Sequence, residues 1–193
     1  MNLRPRRECE KALESLTERI RVPTARSIIE KIRKGESQAA LEQLGRYHRS
    51  LERRSDGADA SEYALAAFVV WYWSVVSRDR PLSLRCRRRA VNALLDKRIR
   101  GRSRVQVALG WAWTSLSFFS VGEVENALEL LDLCRNDRVR RSGLLRHADV
   151  RASLDAMLEC AALNGAEPKK MSEYRRALCA GMVSRGREGC VRP

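Results

Sequence analysis

The sequence predicts an all-α protein, a single irregular helical bundle of about eight or nine helices with a helix-hairpin, repeat-like middle. Three observations predict it. No segment shows the strict apolar–polar alternation of a strand. The five prolines, Pro5, Pro23, Pro81, Pro168 and Pro193, fall at the termini or between periodic segments. Apolar residues recur at helical spacing along most of the chain. A chain of 193 residues with 44% apolar content has enough to bury a core. Residues 1–183 read as one helical domain and residues 184–193, "SRGREGCVRP", as a disordered basic tail.

The elements follow in order. A first helix is expected over about residues 6–20, with Leu13, Leu16 and Ile20 on one face. Pro23 suits the opening turn of a second, which carries Ile28, Ile29 and Ile32 and stops at Gly35. A third runs from Ser37 to Arg53, and "RSDGADAS" at 54–61 is rich in turn formers and N-cap residues. The fourth helix, "SEYALAAFVVWYWSVVS", is apolar nearly all round, and "RDRPLS" then turns the chain. The fifth covers residues 83–98 and "IRGRS" breaks it. The sixth, "RVQVALGWAWTSLSFFS", is again apolar on every face. Helices without a polar face belong at the centre of a bundle. A seventh is expected over 122–135, an eighth over 143–163 and, after the turn "NGAEPKK", a ninth over 172–183. The longest uncharged stretches, 63–77 and 105–122, are respectively too short and too interrupted by polar residues for a span of ~20 apolar residues. Both read as core, and no membrane partner is expected.

Charge is the strongest compositional signal. The net charge is +14, the isoelectric point near 10.3, and 32 of the 38 basic residues are arginine. Such a balance points to an anionic partner: nucleic acid, an anionic membrane or an acidic protein. Arginine forks pair with phosphates in two-pronged fashion, although codon bias in a GC-rich genome produces the same skew. The six cysteines, Cys9, Cys86, Cys134, Cys160, Cys179 and Cys190, include no C-x-x-C pair, and the histidines are only His48 and His147. A zinc site needs more than this. With no apolar signal segment, free thiols in a reducing compartment are expected, in the cytoplasm, the nucleus or both. Four of the six cysteines lie in helical apolar patterns and read as core. There is no G-x-S-x-G elbow, phosphate-cradling glycine loop or carboxylate pair in an apolar setting. Neither an enzyme nor a cofactor is expected.

The best local feature is "SLRCRRRAVNALLDKRIRGRSR" at 83–104. On a helix, Arg85, Arg88, Arg89 and Asn92 share one arc, opposite Leu84, Val91, Leu94 and Leu95, with Cys86, Ala90 and Ala93 extending the apolar side. Arg87 projects toward that side, where its stem would snorkel. Lys97, Arg98, Arg100, Arg102 and Arg104 carry the charge onward. A second run at 135–146 contributes Arg138, Arg140 and Arg141. If helical hairpins stack, the two runs lie on one side as a continuous groove. Clustered like charges repel, and phosphates relieve that cost while releasing counterions. The same runs suit nuclear import, or a solvated surface neutralised by Glu125, Glu129 and Asp132 of the seventh helix. The tryptophans read as core, so contact with a duplex backbone fits better than single-strand stacking. Val124, Leu128, Leu131 and Leu133 have the spacing of a nuclear export signal, which any amphipathic helix also gives, and read as core.

Two stretches are nearly alike: "GESQAALEQL" at 35–44 and "GEVENALELL" at 122–131, with "AVNALLDK" sharing their Ala-Leu centre. "WYW" and "WAW" lie in the preceding apolar helices. Ala93 and Ala127 are 34 residues apart, the period of a tetratricopeptide repeat. Trp111, Phe118, Gly122, Ala127 and Leu131 resemble that family's pattern. Cys134, Thr114 and Ser115 depart from it, and no proline closes the unit. The resemblance implies stacked helical hairpins and a protein–protein adaptor. A weaker one exists: "WAWTSLSFFSVGE" and "LERRSD" are similar to motifs of viral apoptosis regulators, without their Asn-Trp-Gly-Arg core. Gly110-Trp111 resembles the Gly-Trp hook of some viral silencing suppressors. The expected function is therefore a small basic regulatory or accessory protein, such as viral silencing suppressors are, that binds RNA or another polyanion through an arginine-rich helix. The alternatives are a helical-repeat adaptor, engaging an acidic host protein among others, and an apoptosis regulator.

Overall fold

The computed structural model describes Lys11, Glu18, residues 20–53 and residues 57–183. Most of the first expected helix, and all of the expected tail, lie outside these. The described residues form nine α-helices and no strand: α1 Pro23–Arg33, α2 Ser37–Glu52, α3 Gly57–Val76, α4 Arg80–Leu94, α5 Gly101–Ser120, α6 Val124–Leu131, α7 Asp137–Arg141, α8 Ala148–Leu163 and α9 Pro168–Val183. Single 3₁₀ turns, Asp132–Arg135 and Leu144–Arg146, join α6 to α7 and α7 to α8. The protein is an all-α bundle.

The two helices without a polar face, α3 and α5, pack against each other at the centre. Helices α1, α2 and α4 pack on α3, and α6 and α8 on α5. Trp71 of α3 meets Phe118 of α5 edge-on, with ring centroids 5.0 Å apart, and both are fully buried. Burying each such side chain is worth about 1.5–3 kcal/mol. The buried hydroxyls inside α5 find partners. Thr114 donates to the Gly110 carbonyl at 2.8 Å, and Ser115 to the Ala127 carbonyl at 3.1 Å. The Trp111 indole N–H donates to the Leu130 carbonyl at 2.8 Å. The last two bonds stitch α5 to α6. The buried Leu131 and Leu133 and half-buried Val124 and Leu128 belong to the same core.

The repeated "Gly-Glu" has a physical explanation. It ends the preceding helix rather than starting the next. Gly35 and Gly122 both have φ of +80°, a left-handed conformation that costs glycine nothing. Glu36 N–H then donates to Lys31 O at 2.9 Å, and Glu123 N–H to Phe118 O at 2.9 Å. Gly35 and Gly122 N–H reach Ile32 O and Phe119 O at 3.1 and 3.2 Å. These pairs satisfy carbonyls that the helix ends leave open.

Several boundaries differ from the periodicity. α3 begins at Gly57 rather than at 61: Ala60 is buried and the Tyr47 hydroxyl donates to the Asp59 carbonyl at 3.0 Å, so the first turn is packed down. α4 begins at Arg80, because Asp79 caps it by accepting from Leu82 N–H at 3.1 Å and Pro81 fits the first turn. It ends at Leu94, short of residue 98. α5 begins at Gly101, three residues early. α6 stops at Leu131, and α7 is an additional short helix that Asn136 caps through Arg138 N–H at 2.9 Å. The expected helix at 143 starts only at Ala148, after the 3₁₀ turn. α9 opens at Pro168 instead of 172.

Candidate nucleic-acid interface

The arginine-rich stretch does form a helix, and α4 is held by most of its apolar side, although Leu84, expected on that side, is exposed. Leu82, Cys86, Ala90, Ala93 and Leu94 are buried, while Arg85 and Arg88 are exposed. The arc bearing them does not face the acidic helix α6. It faces α2. Arg46 and Arg49 of α2 and Arg85 and Arg89 of α4 line one groove of about 350 Å³, together with Gln38, Leu41, Glu42 and Gly45. Among the described residues, Glu42 is the one carboxylate on its walls, and Gln38 Nε2 already donates to it at 2.9 Å. Among the described residues, no ion pair engages Arg46, Arg49, Arg85 or Arg88.

Arg89 departs from the sequence expectation. It is half-buried rather than presented beside Arg85 and Arg88, and its Nη1 donates to the Leu41 carbonyl at 3.2 Å. Its guanidinium lies over Gly45, where a Cβ would stand 3.3 Å from Nη2. Arg89 thus forms the floor of the groove and fastens α4 to α2. Burial pushes the neighbouring Cys86 thiol and Tyr63 hydroxyl up to about 12, and the positive charge of Arg89 only partly opposes this. Arg87 does not merely snorkel: its Nη1 pairs with Glu129 of α6 at 2.8 Å. So α6 neutralises Arg87, while Asp132 accepts from the Tyr174 hydroxyl at 2.9 Å.

Arg98 is the second departure. It turns back into the fold, with Nη2 2.6 Å from Asp96 Oδ2, backbone N–H on Oδ1 at 2.9 Å, and Nη1 donating to the Leu51 carbonyl. The hydrogen bonds from Arg98 hold the Asp96 carboxyl below its ordinary range, against a smaller opposing effect of burial. Arg98 is a structural clasp between the α4–α5 turn and the end of α2. Lys97, Arg100 and Arg102 are exposed and Arg104 half-buried.

In the second run, Arg138 is exposed, Arg140 half-buried with Nη1 3.5 Å from Asp137, and Arg141 exposed with Nη2 3.9 Å from the same carboxylate. The two basic runs do approach each other. Arg100 and Arg104 line a cleft with Arg146 and His147, not with Arg138, Arg140 or Arg141. His147 immediately precedes α8, and its Nδ1 is 3.8 Å from Asp149. Cys86 and Cys134 are buried, Cys160 half-buried and Cys179 exposed.

Sequence reasoning missed Arg46, Arg49, Arg146 and His147. Gly45 carries a signal for the first two. A glycine inside an otherwise good helix costs about 1 kcal/mol relative to alanine and marks a close approach, with arginines one and four residues beyond it. Among the described residues, no helix is long and apolar enough to cross a membrane, and no three His, Cys, Asp or Glu side chains are grouped to hold a metal ion. The chain matches no protein-family model, no curated protein and no solved structure.

Proposed function

We propose that the protein is a small regulatory or accessory factor that binds the backbone of duplex RNA, or another polyanion of like charge density, along the α2–α4 groove. One observation carries this reading: two helices from different parts of the chain bring four arginines into one groove with a single carboxylate. Three of the four, Arg46, Arg49 and Arg85, are exposed and without an ion pair among the described residues, and Arg88 adds charge on the adjoining surface of α4. Guanidinium forks at this density match phosphate oxygens. Among the described residues, no aromatic side chain lines the groove, so stacking on unpaired bases has no platform in them and backbone contact is favoured. The adaptor alternative gains nothing from α6, whose Glu129 engages Arg87 and leaves the arc of Arg85 and Arg88 open.

Fluorescence anisotropy with a duplex RNA, the same strand unpaired, and a duplex DNA tests the reading. The wild type binds the duplex RNA at least as tightly as the single strand. Simultaneous Arg46→Gln, Arg49→Gln and Arg85→Gln weakens binding by at least tenfold, while Arg138→Gln with Arg141→Gln changes it less than threefold. Equal affinity of the groove variant and the wild type for every polyanion would overturn the proposal.

A further inference from the structure

A second basic cleft lies apart from the α2–α4 groove and shares no residue with it. It holds about 410 Å³ between the start of α5 and residues 142–147. That is the small end of ligand pockets, which run ~300–1,000 Å³. Four of its residues carry or can take positive charge, Arg100, Arg104, Arg146 and His147, and no carboxylate among the described residues lines it. Asp149 stands 3.8 Å from His147 Nδ1.

Two features make the cleft more than a charged surface. Neither Arg100 nor Arg104 has an ion pair among the described residues. Moreover, two helices begin at this cleft. α5 starts after Arg100 and α8 after His147, and neither helix has a side-chain cap on its first amides. Helix starts carry partial positive charge and unfilled N–H donors, which favour anions. Arg100, Arg104 and the two uncapped helix starts converge on one cleft and favour an anion there.

We propose that this cleft binds a phosphate monoester, its dianion seated between Arg100 and Arg104 on one wall and Arg146 and His147 on the other. Guanidinium pairs select phosphate over a halide by bidentate geometry. A volume larger than a lone phosphate leaves room for part of the group that bears it. The phosphate arrives either as the free ion or on a nucleotide or strand end. The site does not depend on the α2–α4 groove reading.

Amide-resolved NMR titration in chloride buffer of physiological ionic strength tests this with three probes: inorganic phosphate, adenosine 5′-monophosphate and adenosine. Inorganic phosphate and the nucleotide give saturable shifts centred on residues 101–105 and 142–148, and adenosine gives none. Comparable affinities for the two phosphates identify the free ion as sufficient. At least tenfold tighter binding of the nucleotide identifies a carried phosphate, and either result supports the site. Arg104→Gln weakens binding at least tenfold, as does Arg100→Gln, whose exposed position leaves folding intact should the half-buried Arg104 prove needed for it. The triple groove variant keeps this binding unchanged, which separates the two sites. Non-saturable shifts spread over all surface arginines, or unchanged affinity in Arg100→Gln, overturn the proposal.

Discussion

Arg87, Arg89 and Arg98 are tied down by the fold, while Arg85 and Arg88 beside them reach solvent. Periodicity placed Arg85, Arg88 and Arg89 on one arc, and they are there. What it lacked was the neighbour: α2 supplies a backbone carbonyl and a bare glycine for Arg89, and neither is visible from α4 alone. Asp96 and Arg98 lie two residues apart, yet the third partner, Leu51, is distant in sequence. The clasp has a pH signature. The folded carboxyl of Asp96 is held below its ordinary value of about 3.9, so the stability it contributes is fully present above that pH. It is lost as pH falls through the lower folded value. Urea denaturation at pH 7 and at about pH 2.5 checks this: Asp96→Asn is less stable than wild type at pH 7, and the difference shrinks at the lower pH. A constant difference would contradict the pairing. A second residue-scale expectation concerns Arg78, the one described non-glycine residue with positive φ, at 58°. It occupies the position that Gly35 and Gly122 hold after their helices, with Asp79 N–H on Ser74 O at 2.9 Å. The left-handed conformation costs a side-chain-bearing residue about 1–2 kcal/mol, partly offset by glycine's greater freedom when unfolded. Arg78→Gly therefore stabilises the protein by about 0.5–1 kcal/mol, read as a higher urea midpoint.

At the scale of elements, composition separated the buried helices from the surface ones. α3 and α5 are apolar all round and sit in the middle because no other place hides every face. Helix ends were less legible. Starts at Arg80 and Pro168 precede the first apolar residue, since capping and proline geometry rather than periodicity decide them, and the start at Gly57 follows from contact with α2. The break at residues 132–147 was unreadable: Leu133, Cys134, Val139, Leu144 and Leu145 are all buried through 3₁₀ turns and one short helix, a pattern with no fixed period. Helices α3 and α5 offer a direct comparison of two core tryptophans. Both Trp71 and Trp111 are fully buried, but only Trp111 has a partner for its indole N–H. Replacing it removes one of two donors to the Leu130 carbonyl, which keeps a backbone N–H from the helix cap, at about 0.5–1.5 kcal/mol beyond the packing loss. Trp111→Phe is thus expected to destabilise the protein more than Trp71→Phe by about that amount, as equilibrium unfolding measures. Equal losses would mean that the bond contributes nothing.

For the whole molecule, the distribution of charge matters more than its total. A net charge of +14 predicts attraction to any polyanion, and it was plain from composition. The groove was not, because it needs α2 and α4 side by side. Polyelectrolyte theory converts that geometry into a number. Each phosphate neutralised on a duplex steepens the fall of log affinity with log salt by about 0.9. If charge acts only diffusely, removing three arginines anywhere lowers affinity alike. If the groove is the contact, the loss depends on position. The decisive measurement is therefore duplex RNA affinity across a series of salt concentrations, for the wild type and for the Arg46→Gln, Arg49→Gln, Arg85→Gln triple variant. A control variant carries three exposed changes elsewhere, Arg138→Gln, Arg141→Gln and Arg175→Gln. The groove variant should flatten the salt slope by about 2.7, or 0.9 for each lost contact, while the control flattens it by less than about 1. Equal slopes for the two variants would contradict an α2–α4 groove that binds the duplex.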